Sequence, residues 1–177
     1  MIRLLTCIIL LFTKQTVRES ADFFWKHYER TKNGSGIKQK VSGSICHRLF
    51  RETGSGIPIE TTFEEYPILP HGLFGIFISQ GAKIGKGCTI FQQVTIGSNT
   101  FKDSKGYGAP KIGNNVFIGA GAKIIGNVFI GNNVRIGAGC IVTQNVSDNM
   151  TVVMEGPRLI VNSHNCDNRY LEYGKNI

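Results

Sequence analysis

The sequence predicts a mainly β fold, a parallel β-helix preceded by a short α-helical region, and three observations carry that prediction. Ten positions keep an almost unbroken period of six: Ile78, Ile84, Ile90 and Ile96, then Ile112, Ile118, Ile124, Ile130, Ile136 and Val142. Four residues after most of them stands a compact side chain, at Ala82, Cys88, Val94, Val116, Ala122, Val128, Val134 and Cys140. Glycine follows directly at Gly85, Gly97, Gly113, Gly119, Gly131 and Gly137. A helix repeats at 3.6 residues and a simple strand at 2, so neither produces this register. A period of six marks short parallel strands stacked coil on coil, with the branched aliphatic turned into a narrow core.

The chain has 177 residues, enough for one domain with an appendage. Residues 1–56 form the predicted α-helical region. Two helices are expected over residues 1–30, broken near Lys14–Thr16, with Thr16 or Ser20 as caps. A turn is expected at residues 31–36 (TKNGSG), then a helix around Gln39–Glu52 ended by Gly54–Gly56. The run Leu4–Phe12 (LLTCIILLF) is apolar but too short for a membrane span, which needs about 20 residues. No small-x-small cleavage site follows it. It reads as a buried or subunit-contacting helix, with contact to a membrane surface as the competing reading.

The predicted β-helix occupies residues 57–160 and has two interruptions. Ile57, Phe63 and Leu69 keep the period, which then slips by three before Ile78. Sixteen residues separate Ile96 from Ile112 where six would keep step, so ten are inserted. The polar stretch 98–110 (SNTFKDSKGYGAP) should therefore leave the prism as a loop, and loops on a rigid scaffold commonly carry binding groups. Residues 161–177 are a polar C-terminal tail.

The net charge is +8, concentrated at the front: residues 1–56 hold ten Lys and Arg against four Asp and Glu. A basic front end suits an anionic surface or a polyanionic substrate, or is simply a solvated helical face. No nucleic-acid motif is present, and Phe23, Phe24, Trp25 and Tyr28 bunch as on one helix face, so nucleic-acid binding is not expected. The five cysteines are scattered, odd in number and without CxxC spacing, which fits a reducing cytoplasm rather than a disulfide framework.

Of the four histidines, His27, His47, His71 and His164, only His71 lies within the repeat, where the period slips. An imidazole suits general-base work because its ordinary pKa, about 6.5, is near working pH. A histidine at a turn can equally be a surface or structural group. A metal centre is not expected, because zinc sites need several converging ligands and Cys88 and Cys140 should face inward.

The stretch LPHGLFGIFISQGAKIGKGCTIFQQVTIG (residues 69–97), followed by APKIGNNVFIGAGAKIIGNVFIGNNVRIGAGCIVTQNV (residues 109–146), resembles the hexapeptide-repeat acyltransferases, within them the serine acetyltransferase-like branch. The resemblance implies a left-handed β-helix and acetyl-CoA-dependent O-acetyl transfer, with no metal. His71 matches the general base, and Gly97 a position beside the thioester and pantetheine arm. Ala120, Gly121, Ala138 and Gly139 match turns that line the coenzyme channel, and Arg135 and Arg158 could meet the nucleotide phosphates. Lys111 could do so too, but reads better as a plain surface charge. Similar chains assemble as trimers with each site between two prisms.

Two departures bear on the acceptor. Resembling chains carry Asp directly before the catalytic His and an Asp-Arg-His run before Pro-Lys-Ile. Here Pro70 and Tyr107-Gly108-Ala109 stand in those places. Serine, a zwitterion, calls for charged partners. The loop offers Asn99, Asp103 and Tyr107, with Lys102, Ser104 and Lys105, so the acceptor is expected to be a sugar hydroxyl of a surface polysaccharide precursor, with L-serine as the alternative. The expected partners are acetyl-CoA, a small acceptor and two further copies of the chain. Two rival readings are a non-catalytic scaffold and a cytoplasmic protein held at the inner membrane face through residues 4–12.

Overall fold

The computed structural model describes residues 1–12 and 21–161. In it, twelve short strands form three parallel faces of a left-handed β-helix. The first face holds β1 (Thr62–Phe63), β3 (Lys83–Ile84), β6 (Lys111–Ile112) and β9 (Phe129–Ile130). The second holds β4 (Thr89–Ile90), β7 (Phe117–Ile118), β10 (Arg135–Ile136) and β12 (Thr151–Val152). The third holds β2 (Phe77–Ile78), β5 (Thr95–Gly97), β8 (Lys123–Ile125) and β11 (Ile141–Val142). The register places like on like: Ile78 pairs with Ile96 and Ile96 with Ile124 on the third face, and Ile90 pairs with Ile118 on the second. Each inward residue of the repeat, from Ile78 to Val142, is no more than 5% exposed, and the compact residues four positions on are buried with them. Three β-branched columns therefore fill the core.

Corners set the coil length. At the edge between the first and second faces, Asn115, Asn133 and Asn149 adopt left-handed backbone conformations with φ of 53°, 57° and 61°. Their side chains form a ladder, the Asn115 amide donating to Asn133 at 2.8 Å and that of Asn133 to Asn149 at 3.1 Å. Asparagine tolerates this conformation because its short polar side chain bonds locally.

The front of the chain packs as helices α1 (Ile2–Phe12), α2 (Ala21–Asn33) and α3 (Gly36–Thr53). The expected turn at residues 31–36 shrinks to Gly34–Ser35. Helix α2 runs on to Asn33 because Thr31 bonds back to the His27 carbonyl at 2.8 Å and the Asn33 amide to Glu29 at 2.6 Å. Helix α3 accordingly starts at Gly36 rather than near Gln39. It stops where Gly54 turns left-handed, at φ 61°. The expected break at Lys14–Thr16 and the caps Thr16 and Ser20 lie outside the described residues, as does the tail from residue 162. Beyond β12, residues 153–161 form no regular element and are exposed. No helix among the described residues is long and apolar enough to cross a membrane.

The bunched aromatics cap the first coil. Trp25 stacks on Tyr66 with ring centroids 4.7 Å apart and donates its indole N–H to the Pro67 carbonyl at 3.2 Å. The Tyr28 hydroxyl donates to the Pro58 carbonyl at 2.6 Å. This lid covers apolar side chains that the end of a stacked helix would otherwise present to water.

Deleting the core contact of one coil should be costly. Ile118→Ala, at a fully buried site, is expected to lose about 2–5 kcal/mol in denaturant unfolding. A second expectation concerns pH. His27 is buried against Ser42, its Nδ1 3.2 Å from the hydroxyl oxygen. Burial, then the charges of Arg30 and Lys26, hold its pKa below the ordinary 6.5. The unfolded chain thus binds the extra proton more readily, so the stability linked to His27 is full above pH 6.5 and lost as pH falls through that value. Wild-type melting temperature should drop between about pH 7.5 and 5.5 by more than that of His27→Gln.

Candidate active site

The three-residue slip places His71 outside the regular coil. Along the edge between the second and third faces, successive turns stack through backbone bonds. Gln93 N–H donates to the Phe74 carbonyl at 2.8 Å, Gly121 to Gln92 at 3.0 Å and Gly139 to Ala120 at 2.8 Å. Phe74, Gln92, Ala120 and Ala138 are therefore equivalent positions down one edge. The next position is left-handed at every level, with φ of 68° at Gly75, 61° at Gln93, 70° at Gly121 and 71° at Gly139. Glycine suits three of these four sites. A Cβ added at Gly121 would meet nothing within 4 Å, so the edge opens outward there onto unfilled space.

His71 sits in the bulge above this column. Its Nδ1 lies 2.7 Å from the Gln92 side-chain oxygen, and its ring meets Phe91 edge-on with centroids 5.2 Å apart. Phe91 in turn lies 5.1 Å from Phe117 on the neighbouring strand. The edge thus combines one polar pair with an apolar flank. Gln92 was not singled out from the sequence, yet the signal was present: it stands 21 residues after His71, one coil of 18 plus the slip of three.

The structure brings four of the expected cofactor-binding residues together below His71: Ala120, Gly121, Ala138 and Gly139. Arg135 is exposed on β10, the strand that leads into the turn at Ala138. Lys123, just past Gly121, directs its ammonium to the Gly121 carbonyl at 3.3 Å and adds a cation that sequence reading missed. Arg158 is exposed in the segment after β12, and Lys111 lies on the first face, away from this edge.

Gly97 and the loop do not join this group within one chain. Gly97 ends β5, whereas His71 precedes β2 of the same face, so the two occupy opposite edges of that face. A Cβ on Gly97 would come within 2.9 Å of the Ile125 Cδ1, so the Ile125 side chain on β8 lies close against this glycine. The inserted loop leaves beside Gly97 and is pinched at its neck, Asn99 and Gly108 exchanging backbone bonds of 2.8 and 2.9 Å. Both polar ends of Asn99 are engaged inside the loop, with Ser104 at 2.8 Å and the Phe101 N–H at 3.0 Å. Asp103 and Tyr107 are exposed. At the loop's foot, a cleft of about 450 Å³ is lined by amides and hydroxyls, among them Asn127, Thr143, Gln144 and Asn145, with Lys105 as its charged group.

Cys46 and Cys88 are poor candidates for a competing nucleophile. Burial pushes Cys46 up to about 11 and raises Cys88 as well, keeping both protonated. No three His, Cys, Asp or Glu side chains among the described residues group as metal ligands.

Residues 109–144 match the family described as bacterial transferase hexapeptide (six repeats). A serine acetyltransferase of Synechococcus elongatus is 43% identical over 144 residues, covering 72% of this chain and 58% of that protein. One from Staphylococcus epidermidis is 47% identical over 85 residues, covering 48% of this chain and 38% of that protein. The chain thus spans little more than half the length of these curated relatives, or less. Among solved structures, serine acetyltransferase isoform 3 of Entamoeba histolytica, in complex with cysteine, superimposes with a TM-score of 0.63 at 33% identity, over 80% of this chain and 50% of that one. The Neisseria gonorrhoeae serine acetyltransferase, in complex with serine, does so with a TM-score of 0.59 at 28% identity, over 75% and 52%.

Proposed function

We propose, from its place among the hexapeptide-repeat acyltransferases of the serine acetyltransferase-like branch, that the chain moves an acetyl group from acetyl-CoA to a hydroxyl of a small acceptor. The observation that carries this reading is the stack on one edge: His71 at its head and the turns Ala120–Gly121 and Ala138–Gly139 below it. Small residues leave room for an extended pantetheine arm to lie along the edge. Arg135 and Lys123 stand on the strands on either side, where phosphates would pass.

Transfer is direct. The imidazole of His71 takes the proton of the acceptor hydroxyl while the oxygen attacks the thioester carbonyl carbon. The tetrahedral intermediate collapses with cleavage of the carbon–sulfur bond, and the imidazolium returns the proton to the leaving thiolate. Backbone N–H groups near Gly97 are the candidate oxyanion donors. Because Gly97 and His71 lie on opposite edges of one face, those donors would come from a neighbouring copy in a trimer. Exposed Phe74, Phe77, Phe117 and Ile68, 42–62% open in the single chain, flank the His71 edge and supply the apolar surface that such a neighbour would cover.

L-Serine is the acceptor that the relatives favour over the sugar expected from the loop composition, since every relative and neighbour described above is a serine acetyltransferase. A sugar hydroxyl is the second reading, favoured by the cleft at the loop's foot, whose lining offers many neutral polar groups for hydroxyls and a single cation. An acceptor screen by thiol release, L-serine against monosaccharides and oligosaccharides, decides between them. Release with serine at ordinary enzyme rates is the expected result, and release with sugars alone would establish the second reading. His71→Ala should lower turnover on the working acceptor by about 10²–10⁴-fold while leaving acetyl-CoA binding by calorimetry nearly unchanged. Undiminished turnover would remove His71 from the base role.

A further inference from the structure

We infer that Gln92 is a positioning residue that selects the working tautomer of His71, an inference that rests on the general-base role proposed above. The His71 Nδ1 is 2.7 Å from the Gln92 side-chain oxygen. An amide oxygen only accepts, so the ring nitrogen facing it carries the proton, and Nε2 is left as the basic atom. In a free imidazole the proton favours Nε2, which would bury the base inside an N–H bond. The contact reverses that preference.

The placement of Gln92 follows from the coil. Its backbone carbonyl accepts the Gly121 N–H at 3.0 Å, and the N–H of the next residue donates to Phe74 at 2.8 Å, so the residue is clamped between the bulge that carries His71 and the turn below. Phe91 closes one side of the imidazole edge-on at 5.2 Å, limiting the ring's rotation. The amide is neutral. It fixes orientation and tautomer without the charge by which a carboxylate would also stabilise the imidazolium, so a carboxylate at this position should raise the pKa of the base.

The test uses the full chain with Gln92→Leu and Gln92→Glu. Long-range ¹H–¹⁵N spectra of the histidines, with His71 assigned by the signal lost in His71→Ala, report the tautomer without any turnover. The wild-type chain should show His71 protonated on Nδ1, and Gln92→Leu should shift it toward Nε2. On the acceptor found by the screen, Gln92→Leu should lower kcat by on the order of a hundredfold with little change in KM for acetyl-CoA. Gln92→Glu should recover most of that loss and move the acid limb of the kcat/KM profile upward by about one pH unit. A merely structural role for Gln92 would give no such upward move. Wild-type His71 protonated on Nε2, or a Gln92→Leu variant with unaltered tautomer and kcat, would overturn the inference. Failure of the wild-type chain to transfer acetyl to any acceptor overturns instead the proposed function, because the tautomer is read independently of it.

Discussion

The in-register stacking of β-branched side chains fixes the length of a coil, and the rest of the molecule follows from that length. Ile78 over Ile96, Ile84 over Ile112 and Ile90 over Ile118 each stand one coil above the other, and no partner on these faces can slip without turning its aliphatic to water. A core three side chains wide has no spare volume to absorb an extra residue within a strand. Extra residues can enter only at corners. The chain uses this twice, once by three residues before Ile76, where His71 sits, and once by ten after Gly97, where the loop leaves.

Much of this was legible in the sequence because the repeat is local. The period of six assigned the inward positions one by one, and the broken phase located both the bulge and the loop. Other features depended on distance through space. The period alone gave no reason to link Gln92 to His71, although one coil plus the slip brings them into contact. The turn at residues 31–36 misled because its Gly, Ser and Asn content suggested a break, whereas side-chain bonds from Thr31 and Asn33 carried the helix further. The placing of Gly97 beside the thioester came from resemblance. In one chain it lies a full face away from His71, and only a second prism could unite them.

The edge bearing His71 and the edge bearing the loop meet different demands. The first keeps a left-handed turn at every level, at Gly75, Gln93, Gly121 and Gly139, with small residues at the lower two levels. The second is filled by side chains that bond to one another, as Asn99 does to Ser104.

Asn99 and Gly108 close the loop with two backbone bonds, and the Gly106 carbonyl accepts the Asn127 N–H at 2.9 Å, so the returning arm is also tied to the next coil. Residues 100–105 lie beyond all of these anchors, so a change of length or composition there would reach the isoleucine columns less directly than a change at residues 106–108.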